Sequence, residues 1–523
     1  MRVLLVYPEL PVSFWSLQES CNLLGRKTLL PPLGLLTVGA LLPREWELRL
    51  VDLNARKLTG ADWDWADLVM LSGMIIQQQG IRQCLQAARE RGKITVVGGP
   101  YASTLPHEVL EAGPDFLIRG EGEVAIPIFL SHLRAGKTGG VIEADRRPEM
   151  AESPVPRYDL LHLDDYLTMS LQTSRGCPFD CDFCDIVNLY GRVPRYKTPG
   201  QVIEELETLY RLGWRKVVFI SDDNFIGNKD HARAILARVR PWMKDHGHPF
   251  GFWTQTSVNL GQDLEMIDLL TDANFGYVFL GVETPETDLL TRTRKYQNLR
   301  RPLGESLGAI NANGLTLIAS FIIGFDQEQP GTGQRICQFV EDNSIPLVML
   351  NLLQPLPNTR LWDRLREEGR LLDASLSGDS CDLDLIYRPT RPREEVLSEY
   401  VRAIEYMYEP SRFLSRAYRY YRKMRPTRRA LGIHQDDATR PRQSASRRRR
   451  GAKDWPAFFK LLWRQGVQPP YRWQFWKQLW GMRRHNPSRL TSYLICCGMG
   501  ENLFALSKTL LARWAAVQKS GGR

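Results

Sequence analysis

Short apolar runs alternate with helical stretches along the first 140 residues. The runs RVLLVYP, ELRLVDLN, LVMLSGM, KITVVGGP and DFLIRGEGE each end in turn-forming residues such as Gly, Ser, Asn or Pro. Nearly continuous apolar strands that are separated by helices are typical of a parallel sheet buried on both faces. Residues 1–140 are therefore predicted to form a doubly wound, Rossmann-like α/β domain.

Polar and glycine residues stand at the carboxyl ends of these predicted strands. Doubly wound sheets bind their ligands at that edge. The candidate binding residues are Ser72, Gly73, Gly98, Gly99, Gly120 and Glu121. A simpler interpretation also remains open, in which the glycines only allow tight turns.

A second strand–helix series begins near residue 167, after a proline-rich connector at 141–166. Its strands are LTMSLQTS, KVVFISDDN, FWTQTSVN, YVFLGVET, TLIASFIIGF and LVMLNLLQPLP. Six such repeats predict a parallel βα barrel, complete or partial, over residues 167–375. The polar residues that follow its strands are expected to line the active face.

The pattern then becomes helical and basic. Residues 376–425 are predicted to form a helical extension, 426–454 a charged linker and 455–523 a helical tail in which Trp and Phe alternate with Arg and Lys. Three interpretations of the tail remain open: a segment that lies on a membrane surface, a helical cap with a solvated basic face, and a nucleic-acid-binding surface. Nucleic-acid binding is the least favoured of them.

Composition adds a strong asymmetry of charge. Residues 401–523 contain 27 Lys and Arg against 6 Asp and Glu, a net charge of +21, whereas residues 1–400 contain 42 against 53, a net charge of −11. No uninterrupted apolar run reaches the roughly 18 residues that suggest a membrane span, and the N-terminus has no signal-peptide cleavage site. A cytoplasmic protein is expected, with possible peripheral contact on the inner membrane face.

Three of the nine cysteines crowd into the stretch CPFDCDFC. Cys177, Cys181 and Cys184 have the spacing C-x3-C-x2-C, whereas structural zinc sites close a tetrahedron with four ligands. Three thiolates can instead hold three irons of a cubic cluster and leave the fourth iron open. An incomplete zinc site or a chance grouping is the alternative.

This stretch resembles the C-x3-C-x-aromatic-C signature of the radical S-adenosylmethionine (SAM) enzymes, with Phe183 as the aromatic residue. The resemblance implies that Cys177, Cys181 and Cys184 hold a [4Fe-4S] cluster and that SAM chelates the open iron. It also implies that Phe183 lies against the adenine of SAM.

The resemblance assigns roles to the later strand ends as well. The residues Asp222, Asp223 and Asn224 stand where the family binds the SAM ammonium group, and Gly324 matches part of its G-x-I-x-G-x-x-E pattern near the adenine. Glu283 either contacts SAM or substrate, or is a carboxylate paired to a neighbouring residue of the barrel.

The first domain resembles the cobalamin-binding domain of B12-dependent radical SAM enzymes through PPLGLLTVGALL, LSG, VVGGP and RGEGE. This implies that its glycine-rich strand ends contact cobalamin. Asn54 stands where many cobalamin domains carry the His that ligates cobalt, and residues 1–100 contain no His. The cobalt is therefore expected to lack a His ligand.

Within that class, the chain resembles the hopanoid C-2 methylases and their relatives over about residues 1–375, in stretches such as VYPELPVSFW and NFGYVFLGVETP. The resemblance implies a C-methyltransferase that uses methylcobalamin and a 5′-deoxyadenosyl radical on a hopanoid-like lipid, with an electron donor of flavodoxin or ferredoxin type. Two alternatives remain open: oxidation or cyclisation of a tetrapyrrole or other natural product, and an Fe–S regulator that binds nucleic acid.

Overall fold

The computed structural model describes residues 1–372, 376–379, 382–433 and 445–521. These form two compact units. The first unit comprises Met1–Pro11, Lys27–Arg238 and Gln354–Asp379. The second comprises Val12–Arg26, Val239–Leu353 and Ser380–Arg523.

A parallel sheet with helices forms the N-terminal domain, as predicted. Its strands are β1 (Arg2–Tyr7), β2 (Glu47–Asp52), β3 (Leu68–Ser72), β4 (Ile94–Gly98), β5 (Phe116–Arg119) and β6 (Gly140–Glu143), in the order β2-β1-β3-β4-β5-β6. The helices in this part of the chain are α1 (Gln18–Leu23), α2 (Leu33–Leu41), α3 (Gly60–Trp65), α4 (Gln78–Arg89), α5 (Pro100–Thr104), α6 (Pro106–Glu111) and α7 (Gly122–Arg134).

Strand β6 was not predicted. It lies where the sequence predicts the end of the domain and the start of the proline-rich connector, and only Ile142 of its four residues is buried. So short a strand at a sheet edge carries almost no apolar periodicity. The core of the domain joins the strands to α7 through Val3, Met70, Val96, Phe116 and Phe129.

The second strand series is also present. Its strands are β7 (Thr168–Leu171), β8 (Ser174–Arg175), β9 (Arg195–Tyr196), β10 (Val217–Ile220), β11 (Gly251–Thr256), β12 (Phe275–Glu283), β13 (Thr316–Ile323) and β14 (Leu347–Leu352). The helices are α8 (Ile186–Tyr190), α9 (Pro199–Arg211), α10 (Lys229–Asp245), α11 (Leu264–Asp272), α12 (Thr287–Arg292), α13 (Leu303–Ala312), α14 (Thr332–Asp342) and α15 (Arg360–Glu367).

The six strands predicted for the barrel are β7 and β10 to β14, and all their pairings within each unit are parallel. In the first unit β7 pairs with β10. In the second unit the strands follow the order β14-β13-β12-β11. The short strands β8 and β9, which were not predicted, pair antiparallel on either side of the cysteine stretch. The fold class predicted for this region is confirmed.

Local sequence explains why α9 begins directly after β9. The Thr198 hydroxyl accepts a hydrogen bond from the backbone N of Gln201 at 3.3 Å, and the Gln201 side chain accepts one from the backbone N of Thr198 at 2.9 Å. Pro199 occupies the first helical position, where its missing N–H costs nothing. This reciprocal cap fixes where the chain leaves the cysteine stretch.

The C-terminal region is helical, as predicted. Its helices are α16 (Arg393–Tyr408), α17 (Pro410–Lys423), α18 (Ala445–Gly466), α19 (Arg472–His485) and α20 (Leu490–Gly521). The predicted linker at 426–454 falls partly outside the described residues, and α18 begins within it. Within the described residues, Pro487–Lys519 is long and apolar enough to cross a membrane, and 56% of its apolar window is buried inside the protein.

Candidate cofactor and active site

The cysteine loop, residues 176–191, connects β8 to α8 and the approach to β9. The thiols of Cys177, Cys181 and Cys184 are all half-buried. The loop closes where the backbone N of Cys177 donates to the carbonyl oxygen of Gly191 at 3.3 Å. Gly176 has φ +98°, and a Cβ at this position would lie 2.8 Å from the same carbonyl oxygen. The turn before Cys177 therefore requires glycine.

The donor set of this loop fits an iron–sulfur cluster. Among the described residues, no group of three or more His, Cys, Asp or Glu side chains converges closely enough to hold one metal ion. The three ligands of a cubic cluster each bind a different iron, so they need not converge on one point. Phe183, which is also half-buried, stands between Cys181 and Cys184 in the same loop.

Asp222 holds the residues that lead into the cysteine loop. Its carboxylate is fully buried and accepts hydrogen bonds from the backbone N of Thr173 at 2.6 Å, from the backbone N of Ser174 at 3.0 Å, and from both hydroxyls. Burial raises the pKa of Asp222. With four donors engaged, this carboxylate fixes β8 against the end of β10.

Asp223 binds the backbone of Gly176, which follows the residues held by Asp222. Its Oδ2 accepts a hydrogen bond from the backbone N of Gly176 at 2.8 Å, and burial raises the pKa of Asp223 to about 7. Asn224 is buried, and its carbonyl oxygen accepts from the backbone N of Gly227 at 2.9 Å. The SDDN segment thus supports the turn before Cys177, while its contact with the SAM ammonium stays a prediction.

Two arginines tie the cysteine loop to the GEGE turn of the N-terminal domain. Arg175 binds Glu121 at 2.7 Å and Glu123 at 2.8 Å, and Arg195 binds Glu121 at 2.7 Å. Burial alone would raise the pKa of Glu123, but the hydrogen bonds and charge of Arg175 hold it at about 2. Glu121, a predicted cofactor-binding residue, therefore has a structural role at the two strands that flank the cysteine loop.

The remaining predicted residues of the N-terminal domain meet at neighbouring strand ends. Ser72 and Gly98 are register partners of β3 and β4. The carbonyl oxygen of Gly73 accepts from the backbone N of Tyr101 at 3.1 Å. Gly99 has φ +91°, and a Cβ there would lie 2.3 Å from the Ser72 hydroxyl. The structure therefore brings these residues together at the edge where doubly wound sheets bind ligands.

Gly120 follows β5 at the same edge of the sheet. Its φ is +87°, and a Cβ there would lie 2.7 Å from the Cβ of Ala144. Its backbone N donates to the Ser103 hydroxyl at 3.0 Å. The turn that presents Glu121 to the arginines thus has no room for a side chain at Gly120.

Asn54 is engaged within the N-terminal domain. Its amide donates to Asp52 at 2.7 Å and to the carbonyl oxygen of Pro8 at 3.2 Å, and its side-chain oxygen accepts from the backbone N of Leu10 at 2.8 Å. Asn54, which the resemblance aligns with the cobalt-binding His of many cobalamin domains, therefore fastens the loop after β1.

Glu283 lies in the second unit, at the end of β12. Its carboxylate is buried and accepts a hydrogen bond from Lys295 Nζ at 2.7 Å. The backbone of Glu283 has φ +66° at an irregularity in the β12–β13 pairing. This contact is the one expected if Glu283 is a carboxylate paired to a neighbouring residue of the barrel.

Gly324, at the end of β13, is held by a residue that the sequence pattern did not single out. Its backbone N donates to the Glu328 carboxylate at 3.0 Å, and its carbonyl oxygen accepts from Tyr387 at 2.7 Å. Glu328 is buried and pairs with Arg391 at 2.8 Å. The signal was present, because the family pattern places its Glu at position 327 and this chain carries one directly after it.

An aromatic cluster in the second unit was also missed. The ring of Trp15 stacks on Trp253 with centroids 6.2 Å apart and contacts Phe279 at 5.0 Å. Trp253 belongs to β11 and Phe279 to β12. On the other face of β12, Val278 and Leu280 are completely buried, whereas Phe279 is only half-buried. Trp253 is buried, so only Trp15 and Phe279 leave part of their rings accessible. No local pattern could have paired residues so distant in sequence.

Three sequence families match the chain. A B12 binding domain matches residues 20–130, the radical SAM superfamily matches residues 171–340, and a domain of unknown function (DUF4070) matches residues 359–515. These matches follow the two strand series and the C-terminal helices in order.

A solved structure has a similar fold. The cobalamin-dependent S-adenosylmethionine radical enzyme OxsB, with aqua-cobalamin and S-adenosylmethionine bound, matches with a TM-score of 0.59 at 16% identity. The match covers 100% of this chain and 81% of that chain.

Two relatives match almost the whole chain. An uncharacterized methyltransferase of Synechocystis sp. is 45% identical over 96% of this chain and 91% of its own length. The hopanoid C-2 methylase of Rhodopseudomonas palustris is 34% identical over 91% of this chain and 88% of its own length. The resemblance therefore does not end near residue 375, as expected from the sequence, but continues into the C-terminal helices. The chain belongs to the cobalamin-dependent radical SAM methyltransferases, which combine a B12-binding domain with a radical SAM domain that uses a [4Fe-4S] cluster and SAM.

Proposed function

We propose that this methyltransferase adds a methyl group to an unactivated carbon of a hopanoid-like lipid. The observation that carries the proposal is the likeness to the hopanoid C-2 methylase, which extends over nine-tenths of both chains. Such a lipid partitions into membranes, so the proposal places the enzyme in the cytoplasm and at the inner membrane face.

In this proposal Cys177, Cys181 and Cys184 hold the cluster. Their loop is fixed at its start by Asp222 and Asp223 and along its flanking strands by Arg175 and Arg195. These hydrogen bonds and ion pairs hold the backbone of the loop, so the three thiols keep one arrangement throughout the reaction. Phe183 lies in the same loop, as a residue that contacts the adenine of SAM would.

When bound, the cluster, SAM and methylcobalamin supply the hydrogen-abstracting radical and the methyl group. One SAM is consumed as the hydrogen acceptor and leaves as methionine and 5′-deoxyadenosine. A second SAM is the source of the methyl group and leaves as S-adenosylhomocysteine. Each methylation therefore consumes two electrons, and we infer that an electron donor of flavodoxin or ferredoxin class supplies them.

The aromatic cluster supports an apolar, ring-containing substrate. Trp15 and Phe279 are half-buried and expose part of their rings, and the buried Trp253 supports Trp15 from behind by stacking. A polycyclic hydrocarbon gains affinity from such surfaces by burying area, and their rigidity limits the loss of side-chain freedom on binding. We therefore place the ring system of the lipid against this cluster.

Anaerobic reconstitution tests the reaction. The chain is incubated with SAM, reductant, methylcobalamin and a desmethyl hopanoid in detergent. Formation of the methylated hopanoid, 5′-deoxyadenosine and S-adenosylhomocysteine in equal amounts is expected. The variant Cys181→Ala should lose all three products together with the cluster absorbance, whereas Cys84→Ala, which removes a thiol from α4, should retain them. Full SAM cleavage by Cys181→Ala would refute the cluster assignment.

Lipid analysis of a strain that lacks the gene identifies the substrate class. Loss of one methylated hopanoid is expected, with its return on complementation. An unchanged methylhopanoid profile, combined with SAM cleavage but no methylated product from hopanoids in vitro, would refute the lipid assignment and favour oxidation or cyclisation of a tetrapyrrole or another natural product.

A further inference from the structure

Helix α18 exposes a stripe of large aromatic side chains. Trp455, Phe459 and Trp463 follow each other at intervals of four residues, which places them on one face of a helix. Their exposed fractions are 55%, 58% and 57%. So much aromatic surface is rarely left in water on one face of a surface helix.

The stripe is not the face that packs against the protein. Ala457, Leu461 and Gln465 are buried, and they lie on the opposite side of α18. Gln465 donates to the carbonyl oxygen of Cys497 in α20 at 2.8 Å. Helix α18 therefore packs against the protein through one face, and the aromatic stripe on its other face is not needed for that packing.

Helix α19 continues this surface. Trp473 and Trp480 are 72% and 65% exposed, whereas Phe475 and Met482 of the same helix are completely buried. Trp476, 37% exposed, donates from Nε1 to the carbonyl oxygen of Gly466, the last residue of α18, at 2.7 Å. This bond joins the two helices, so their exposed rings belong to one connected part of the second unit. We call it the aromatic surface, comprising Trp455, Phe459, Trp463, Trp473, Trp476 and Trp480.

Cationic residues accompany the rings. Residues 455–485 contain six Lys and Arg and no Asp or Glu. Arg464 pairs with Glu19 of α1 at 2.8 Å, but Arg472, Lys477, Arg483 and Arg484 are all exposed. The guanidinium groups of Arg472 and Arg484 each lie 5.8 Å from the ring centroid of Trp473 and Trp480 respectively.

This combination matches the interface of a bilayer. Trp side chains favour the depth of the lipid headgroups, where the ring is dehydrated and its N–H remains bonded, and cations beside them attract anionic phosphates. A surface for nucleic acid would also be cationic, but stacking on bases favours a groove that tracks the strand. Helices α18 and α19 instead present rings on their outer faces.

We propose that the aromatic surface docks the enzyme on an anionic lipid bilayer. The role of this docking rests on the proposed function, because an enzyme that methylates a membrane lipid must reach its substrate at the bilayer. The binding itself is independent of the reaction. The rings insert to headgroup depth while Arg472, Lys477, Arg483 and Arg484 contact the phosphates, and α20 remains packed in the protein.

Vesicle co-sedimentation of the full-length, reconstituted protein tests the surface. The vesicles contain phosphatidylcholine with about 30 mol% phosphatidylglycerol, an anionic lipid that gives them a negative surface potential. The wild-type chain should bind, and the triple variant Trp463→Ser, Trp473→Ser, Trp480→Ser should bind at least about tenfold more weakly, because each ring contributes buried apolar area. Lys477→Glu with Arg484→Glu should weaken binding to anionic vesicles and leave the weak binding to pure phosphatidylcholine unchanged.

A matched control removes exposed apolar residues elsewhere. Leu110, Val141 and Leu264 are 41%, 47% and 56% exposed, and their replacement by Ser should leave vesicle binding unchanged. Equal binding by the triple Trp variant and the wild type would overturn the proposal. So would a wild-type chain that stays in the supernatant, that binds a 30-base oligonucleotide in preference to vesicles, or that dimerises through these rings, as shown by sedimentation velocity.

The readout separates this inference from the proposed reaction. Turnover of a hopanoid dissolved in detergent should be unchanged in the triple Trp variant, whereas turnover of the same hopanoid in vesicles should fall with binding. Vesicle binding that depends on the rings but is accompanied by no hopanoid turnover would support the docking surface and refute the lipid assignment alone.

Discussion

Arg175 is the residue on which the support of the cysteine loop most depends. It stands two positions before Cys177 and pairs with Glu121 and Glu123, and all three side chains are nearly buried. A buried ion network contributes little compared with apolar packing, but removal of one partner leaves charges without compensation. The residue therefore stabilises the loop strongly, although it contacts no cofactor in this interpretation.

Replacement of Arg175 by Gln should lower the free energy of unfolding at pH 7 by about 3 to 5 kcal/mol, because Glu123 loses its partner while buried. Urea denaturation followed by circular dichroism measures the change. Arg146→Gln, which breaks an exposed pair with Glu152, is the matched control and should have little effect. Equal stability of the two variants would contradict the role given to Arg175.

Glu328 should give the stability a pH dependence of its own. Burial raises its pKa to about 7 from an ordinary value of 4.5, so the folded chain keeps a proton that the unfolded chain has lost. Its contribution is complete below pH 4.5 and declines as the pH rises through the folded pKa, by at most about 1.4 kcal/mol per pH unit.

Denaturation of the wild type and of Glu328→Gln between pH 5 and pH 8 measures this contribution. The stability of the wild type relative to the variant should decrease up to about pH 7 and then become constant. Glu305→Gln, which breaks an exposed pair with Arg301, should show no such trend relative to the wild type. A difference that does not change with pH would show that Glu328 is ionised throughout.

At the scale of elements, the ends of parallel strands position the candidate binding residues outside the cysteine loop, which follows the antiparallel strand β8. Gly98 and Ser72 are paired at the ends of β4 and β3, and Gly324 follows β13. Sequence predicts which residues follow a strand, because apolar runs end visibly. It does not predict register, which is set by pairing and packing with neighbouring strands.

Two glycine substitutions should have opposite effects. Gly99→Ala forces a side chain into φ +91° and against the Ser72 hydroxyl, and should destabilise the first domain by about 1 to 3 kcal/mol. Gly34→Ala lies within α2 with no atom within 4 Å of the new Cβ, and should stabilise by up to about 1 kcal/mol. Urea denaturation checks both. The amount of cobalamin that remains bound during gel filtration should fall for Gly99→Ala and not for Gly34→Ala. Full binding of cobalamin by Gly99→Ala would show that the turn at Gly99 is not part of the cobalamin-binding edge.

At the scale of the whole molecule, charge is divided along the chain. Residues 401–523 carry a net charge of +21 and residues 1–400 a net charge of −11. Opposite charges on different parts of one chain attract neighbouring copies when screening is weak. The same basic region contains the aromatic surface, so its charge favours both anionic partners and self-association.

Self-association should therefore depend on salt. Sedimentation velocity at about 20 mM NaCl should show oligomers that dissociate at about 300 mM, where the screening length is shorter than at physiological ionic strength. Replacement of Arg447, Arg448, Arg449 and Arg450 by Gln should reduce the oligomers at low salt. Oligomers that persist at high salt would indicate an apolar contact instead.

The sequence by itself determined the two α/β strand series, the cysteine loop and the helical basic end, because apolar periodicity and the spacing of three thiols are local properties. It also indicated the B12 and radical SAM domains, which the family matches confirmed. Tertiary structure alone decided the pairing of Arg175 with Glu121, 54 positions away, the contact of Trp15 with Trp253, and which tryptophans of the tail remain exposed. Such contacts join residues that are distant in sequence, and composition is the same whether a ring packs inward or faces solvent, so only the packed chain distinguishes them.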